Sequence, residues 1–221
     1  MHKPLVLALA VGAAMAWTAS HSAESQCFGT VAKGRLEKGV KLPSSGQNFS
    51  AYSSLGTVAG RTFVHSKVAE VVVAAYDALA KGKPEVSGGR FRPHRSHQNG
   101  LSVDFFVPVT DPNGKFVSLP IGVTNKLGYD LEFDAEARLG ELRIDFDAIA
   151  EHLYQLHVAA RARGVGISMV ILDPQYHSKL LSSSRGTYIR QNIPFMKGKP
   201  WVRHDEHYHV DFAVRCAPNA G

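Results

Sequence analysis

A histidine-rich segment near the end of the chain constrains the fold most strongly. In residues 207–214, HYHVDFAV, large apolar residues alternate with His, His, Asp and Ala. This period of two predicts a half-buried strand whose polar side chains share one face. His207 and His209 therefore point the same way, with Cβ atoms roughly 6 to 7 Å apart. One strand can thus deliver two imidazoles to a single site.

A second polar cluster comes earlier in the chain. Residues 101–107, LSVDFFV, also alternate, so that Asp104 projects from the polar face of another predicted strand, and His97 lies on the loop before it. Two imidazoles and a carboxylate suit a zinc site that keeps a position for water, and suit calcium or magnesium less well. From the residues alone, His207 and His209 could both bind the metal with Asp104. The alternative is that these are surface or hydrogen-bonded histidines without metal chemistry.

The N-terminus has the three-part layout of a secretory signal peptide. A short basic start precedes an apolar run from Leu5 to Trp17 and then small polar residues that end at Ala23. The run is shorter than the about 20 residues that a membrane span needs. We therefore predict a signal peptide over residues 1–23 and an exported protein without a membrane span.

The chain contains two cysteines, Cys27 and Cys216. They lie near the two ends of residues 24–221, and in an oxidising compartment we expect them to form a disulfide. Zinc ligation and unpaired buried thiols are the alternatives.

Composition indicates a single domain over residues 24–221, which is enough chain for a substantial core. The formal net charge of +6 is modest. It could attract an anionic polymer such as cell-wall glycopeptide, but no nucleic-acid-binding motif accompanies it, so nucleic acid is not an expected partner.

Helical and strand patterns predict an α+β fold, with an antiparallel sheet core and helices packed on it. One amphipathic helix begins at Ser66, and a second is capped by Asp145. A buried strand is predicted over residues 167–172. His152 lies off the apolar stripe of the second helix and is predicted to be exposed, as is Glu206.

Several short motifs resemble those of a known family when they are taken together. They are Gly88-Gly89-Arg90-Phe91, His94-Arg95-Ser96-His97-Gln98-Asn99-Gly100-Leu101 with Asp104, and His204 with His207-Tyr208-His209-Val210, followed by Arg215-Cys216. This combination resembles the penicillin-insensitive murein endopeptidases. These are members of the LAS group of zinc peptidases, which includes lysostaphin, D-Ala-D-Ala peptidase and the sonic hedgehog domain. A looser likeness extends from about Leu42 to Cys216.

The resemblance implies a role for each histidine of the two clusters. His97, Asp104 and His209 match the family's zinc ligands, and His207 matches its candidate general base. His204 or His94 would stabilise the oxyanion or orient the substrate.

Further residues are expected to line the site or bind the substrate. His94 matches a site-lining position of the family, and the run Gly88, Gly89 and Arg90 permits close approach of a peptide substrate, although a simple turn is an alternative. Asp211 stands where the family often has a basic residue. Asp205, Glu206 and Asp211 could each orient an imidazole of the site, although for Glu206 the prediction of an exposed side chain is preferred.

The function implied by the resemblance is that of a zinc-dependent, periplasmic murein endopeptidase. It would hydrolyse D-alanyl-meso-diaminopimelyl cross-links, with peptidoglycan stem peptides as partners, and act as a monomer or dimer. Two alternatives remain open: a D,D- or L,D-carboxypeptidase or dipeptidase of the same LAS-type fold, and a non-catalytic cell-wall binding module stabilised by zinc.

Overall fold

A computed structural model describes most of the chain after residue 23. The described residues are 24–46, 48–51, 62–82 and 97–219. The predicted signal peptide, residues 1–23, and the predicted site residues Gly88, Gly89, Arg90 and His94 lie outside them. Among the described helices, none combines the length and the apolar character needed to cross a membrane.

Short strands and α-helices alternate along the described part of the chain. The strands are β1 (Gln26–Gly29), β2 (Gly34–Glu37), β3 (Val40–Lys41), β4 (Phe63–Val64), β5 (Ser102–Phe106), β6 (Val109–Thr110), β7 (Phe116–Val117), β8 (Arg138–Leu139), β9 (Leu142–Ile144), β10 (Gly166–Ile171) and β11 (His207–Ala213). The α-helices are α1 (Ser66–Gly82), α2 (Phe146–Ala162), α3 (His177–Leu181) and α4 (Gly186–Asn192). All strand pairs are antiparallel within the sheets of the described residues, which confirms the predicted α+β class.

A three-stranded sheet in the order β10-β11-β5 forms the centre of the fold. The alternation predicted strands β5 and β11 correctly, and the predicted buried strand over residues 167–172 is observed as β10, but the half-buried character predicted for β11 is wrong. Residues 207–212 are all buried. The cause is that helices cover the apolar face, while the loops that carry the site residues cover the polar face.

Helices α1 and α2 pack against each other on the apolar face of this sheet. Both begin where the sequence predicts: α1 starts at Ser66, and the Asp145 side chain caps α2 by accepting a hydrogen bond of 2.9 Å from the Ala148 amide. The two helices therefore leave the opposite, polar face of the sheet to the functional residues.

His152 is buried in this interface, so the prediction that it is exposed is wrong. Its side chain is 0% exposed, and its Nδ1 atom is hydrogen-bonded to the Tyr208 hydroxyl. Its ring lies 4.7 Å from the rings of both Phe105 and Tyr76. Because α2 contacts α1, α3, α4 and β10, its buried surface extends beyond the stripe that its apolar residues define.

A second, four-stranded sheet in the order β7-β6-β9-β8 lies beyond the end of β5. Strands β6 and β7 form a hairpin, as the Asp-Pro-Asn-Gly turn sequence predicts. The Asp111 side chain closes that turn by accepting 2.9 Å hydrogen bonds from the amides of Asn113 and Lys115.

A disulfide joins Cys27 in β1 to Cys216, just after β11. The Cα atoms are 4.8 Å apart although 189 positions separate them in the sequence. Backbone hydrogen bonds of 2.9 Å from Gly29 N to Ala217 O and from Ala217 N to Cys27 O hold the same two segments together. The predicted disulfide is confirmed, and it secures the end of the strand that carries His207 and His209.

Candidate metal centre

Three side chains converge on the polar face of the central sheet: His97, Asp104 and His209. One donor atom from each lies within 4.8 Å of the others. Asp104 Oδ1 is 2.7 Å from His209 Nδ1, and Asp104 Oδ2 is 3.3 Å from His97 Nε2. The structure thus brings together the three residues predicted as metal ligands.

Strand pairing places two of these residues side by side. Asp104 in β5 is the register partner of His209 in β11, so their side chains emerge next to each other on one face. Each strand alone supplies only one of the two groups. The site therefore exists only when β5 and β11 are paired.

His97 reaches the site from the loop before β5. Its Nδ1 atom lies 3.1 Å from the Ser102 carbonyl, so that Nε2 faces Asp104. The loop turns at Gly100, which has φ +71°, and a Cβ there would lie 2.6 Å from Leu36 Cδ2. The positive φ favours glycine at this position, and the Leu36 side chain would have to move to admit a Cβ.

The donor set fits a transition-metal ion with a preference for imidazole. Ligand atoms about 2.0–2.1 Å from a tetrahedral zinc ion are about 3.3 Å from one another. The 3.3 Å between His97 Nε2 and Asp104 Oδ2 matches that value, whereas the 2.7 Å between His209 Nδ1 and Asp104 Oδ1 is a hydrogen-bond distance. Two nitrogens and one carboxylate oxygen also match the ligands of zinc sites better than the all-oxygen shells of calcium.

The electrostatic environment of the cluster favours positive charge. Burial alone would raise the pKa of Asp104, but attraction to His97 and hydrogen bonds from His209 and His97 hold it well below its usual range. Burial opposes protonation of His209, yet Asp104 and Asp211 raise its pKa to about 10. A buried site that stabilises a cation in this way is suited to a metal ion.

Asp211 holds the far side of the His209 ring. Its Oδ1 atom is 2.7 Å from His209 Nε2 and accepts a second hydrogen bond, of 2.5 Å, from Ser102 Oγ. Ser102 is the register partner of Asp211. The hypothesis that Asp211 orients an imidazole therefore agrees with its observed contact.

His207 lies on the same face as His209 and is held by its neighbour Glu206. His207 Nδ1 is 2.9 Å from Glu206 Oε1, and burial lowers the pKa of this histidine to about 4. Glu206 is only 2% exposed, so the prediction that it is exposed is wrong. Burial raises the pKa of its carboxyl to about 9. The alternation could not show this, because Glu206 lies just before the strand, where loops fold over the sheet.

His204 completes the group of imidazoles. Its ring centroid is 4.6 Å from that of His207, and its Nδ1 atom lies 2.9 Å from the Val202 carbonyl. Burial, followed by repulsion from His207, lowers its pKa to about 4. The exposed indole of Trp201 packs against it, with centroids 6.3 Å apart. His204 and Trp201 thus connect the buried cluster to the surface.

Arg203 and Asp205 anchor the loop that carries His204. The buried Asp205 carboxylate accepts a 2.8 Å hydrogen bond from the Phe133 amide and bonds of 3.0 and 2.5 Å from Arg203. Arg203 also donates to the Leu131 carbonyl at 3.2 Å. Asp205 stands next to His204 in the sequence and could have oriented an imidazole, but its observed hydrogen-bond partners are Arg203 and the distant Phe133 amide.

Tyr129 is a further neighbour of the site that the sequence did not reveal. Its ring lies 5.4 Å from that of His207 and 5.7 Å from that of Phe106. It follows a 3-10 helical segment, Val123–Gly128, in which Lys126 and Leu127 have positive φ angles. This irregular backbone has no periodicity from which a site residue could be predicted.

The antiparallel sheet and the loop before β5 bring two imidazoles and a carboxylate together in a group that could hold a metal ion, with further imidazoles beside them. A model of the family described as penicillin-insensitive murein endopeptidase matches residues 27–220, and the chain belongs to this family. No curated protein matches the chain. Family membership makes the protein a peptidase that acts on peptidoglycan, and it confirms the resemblance carried by the two histidine clusters.

Proposed function

We propose that this protein is a zinc-dependent murein endopeptidase that hydrolyses D-alanyl-meso-diaminopimelyl cross-links in the periplasm. Its family supports the substrate and the peptidase class. The observation that carries the metal dependence is the convergence of His97, Asp104 and His209, whose donor atoms lie within 4.8 Å of one another.

Zinc held by these three side chains would polarise the scissile carbonyl and lower the pKa of a bound water to about 7. His207 would act as the general base. Its depressed pKa of about 4 keeps the imidazole neutral at pH 7 and able to accept a proton. It can later return that proton to the leaving amine.

His204 is proposed to stabilise the oxyanion or orient the substrate. Its ring adjoins that of His207 on one side and Trp201 on the other, at 4.6 and 6.3 Å between centroids. A group in this position lies between the buried site and the solvent from which the stem peptide enters. Gly88, Gly89, Arg90 and His94 are also proposed to line the site or bind the substrate.

The disulfide supports the proposed location outside the cytoplasm. Structural disulfides persist in oxidising compartments, and Cys27 and Cys216 are paired. The proposed signal peptide over residues 1–23 would direct the chain there.

Digestion of purified cross-linked sacculi tests the reaction. Conversion of dimeric muropeptides to monomers, with one zinc ion per chain by elemental analysis, is the expected result. Release of only a terminal amino acid would instead identify a carboxypeptidase. Bound zinc without any cleavage would identify a binding module.

Four alanine variants test the roles of the individual residues. His97→Ala, Asp104→Ala and His209→Ala should lose both zinc and activity, whereas His207→Ala should keep zinc and lose activity. His157→Ala, on helix α2 and hydrogen-bonded to Tyr188, is a matched control that should retain both. Equal loss of zinc in all four site variants would contradict the role proposed for His207.

A further inference from the structure

The two histidines of the His207-Tyr208-His209 segment are held by opposite ring nitrogens. Glu206 Oε1 lies 2.9 Å from Nδ1 of His207, whereas Asp211 Oδ1 lies 2.7 Å from Nε2 of His209. All four side chains are buried. The two rings share one face of β11, but His209 is the register partner of Asp104 and His207 that of Phe106, and the two rings are anchored through opposite nitrogens.

The nitrogen that is hydrogen-bonded to the carboxyl group decides which nitrogen of each ring carries the free lone pair. A neutral imidazole has one N–H donor and one nitrogen with a lone pair. When the N–H is donated to a carboxyl oxygen, the lone pair is fixed on the other nitrogen, and the ring orientation is fixed with it.

For His209 this arrangement directs Nδ1 toward the ligand cluster. Nδ1 lies 2.7 Å from Asp104 Oδ1, while Nε2 is taken by Asp211. Ser102 fixes the same Asp211 oxygen from the neighbouring strand, through a 2.5 Å hydrogen bond. The carboxylate is therefore held by groups from both β5 and β11.

For His207 the arrangement is reversed. Because Nδ1 is hydrogen-bonded to Glu206, His207 can take up or release a proton in the site only through Nε2. The ring is further fixed by its neighbours, because Tyr129 lies 5.4 Å and His204 lies 4.6 Å away between centroids.

We propose that Glu206 and Asp211 are positioning residues that give the two histidines different tasks. Asp211 presents Nδ1 of His209 as a metal ligand, and Glu206 presents Nε2 of His207 as the proton acceptor. This inference rests on the proposed function, in which one of the two histidines binds zinc and the other acts as a base.

A crossed set of variants tests the proposal. Asp211→Leu should weaken zinc affinity about 10- to 100-fold, as measured by competition with a chromogenic chelator. Glu206→Leu should leave zinc affinity unchanged and lower kcat about 100-fold at constant KM, measured on dimeric muropeptides. Asp211→Asn and Glu206→Gln, which keep an acceptor oxygen, should restore most of each loss.

Ser168→Ala is the matched control for Asp211. The Ser168 hydroxyl donates to the backbone carbonyl of Asp211 at 3.1 Å, and not to its carboxylate. This variant should therefore change neither zinc affinity nor kcat. Loss of zinc in both leucine variants, or in neither, would overturn the proposed division of tasks.

Ring protonation provides a readout that needs no peptidase activity. Long-range 1H-15N spectra of the zinc-loaded protein should show the proton of His209 on Nε2 and that of His207 on Nδ1. A protonated Glu206 that donated to Nδ1 would place the His207 proton on Nε2, and that result would overturn the assignment for His207. If the spectra and zinc affinities agree with the proposal but sacculi remain intact, the proposed function fails while the anchoring stands.

Discussion

Asp104 and His209 are direct register partners on adjacent antiparallel strands, and their side chains meet with Oδ1 2.7 Å from Nδ1. The pairing that forms the central sheet therefore also assembles the candidate metal site. The site forms only when the sheet folds, so a metal ion that binds to the site should raise the free energy of unfolding.

Zinc should stabilise the folded protein. A ligand that binds only the native state at 100 times its Kd adds about 2.7 kcal/mol to the free energy of unfolding. We expect removal of zinc by a chelator to lower Tm, and zinc to restore it. Differential scanning fluorimetry would measure both.

The control for this effect is Asp104→Asn, which should reduce the zinc-dependent rise in Tm because a neutral amide is a poor zinc ligand. A rise equal to that of the wild type would contradict the assignment of Asp104 as a ligand.

Asp205→Ala should destabilise the protein by about 1–3 kcal/mol, because it leaves the buried Phe133 amide without its acceptor. It should also lower peptidase activity, since the anchored loop carries His204. Denaturant unfolding and muropeptide assays would measure the two effects.

Glu132→Ala is the matched control for Asp205. Glu132 also pairs with Arg203, at 2.7 Å, but its side chain is 75% exposed. The exposed ion pair should contribute less than about 1 kcal/mol. An equal loss of stability in both variants would show that the buried amide contact contributes little.

His152 should make the protein less stable in mild acid. Burial lowers its pKa from 6.5 to about 3 in the folded state. As the pH falls from 6.5 toward 3, the unfolded chain binds a proton that the folded chain does not, and stability decreases by up to about 1.4 kcal/mol per pH unit. Denaturant unfolding of the zinc-free protein between pH 4 and 6.5 would measure this slope.

His152→Gln should flatten that slope, because the amide cannot titrate but can still hydrogen-bond Tyr208. His157→Gln, a partly buried position on the same helix, should flatten it less. Identical slopes for the wild type and His152→Gln would show that His152 is protonated in both states.

The disulfide should contribute to stability and not to metal binding. In the chain-entropy model, closing a loop of this length adds about 4–5 kcal/mol, and measured values are often smaller. The double variant Cys27→Ser/Cys216→Ser should unfold at lower denaturant concentration with unchanged zinc affinity. A parallel loss of zinc affinity would indicate that the two cysteines support the site directly.

The sequence predicted the elements whose signals are local. Alternation predicted β5 and β11, a short apolar run predicted β10, and the caps Ser66 and Asp145 predicted the starts of α1 and α2. Local signals failed where burial depends on distant segments. Glu206 and His152 appeared polar and peripheral, yet loops and a second helix cover them.

The sequence by itself determined that Asp104, His207 and His209 would lie on strands and that the two histidines would share one face, because side-chain direction alternates along an extended backbone. Only the tertiary structure decided that β5 pairs with β11 in the register that joins Asp104 to His209. It also decided that Glu206 and Asp211 hold opposite nitrogens of the two rings. Contacts of this kind depend on strand register and ring orientation, which packing fixes and the local order of residues does not.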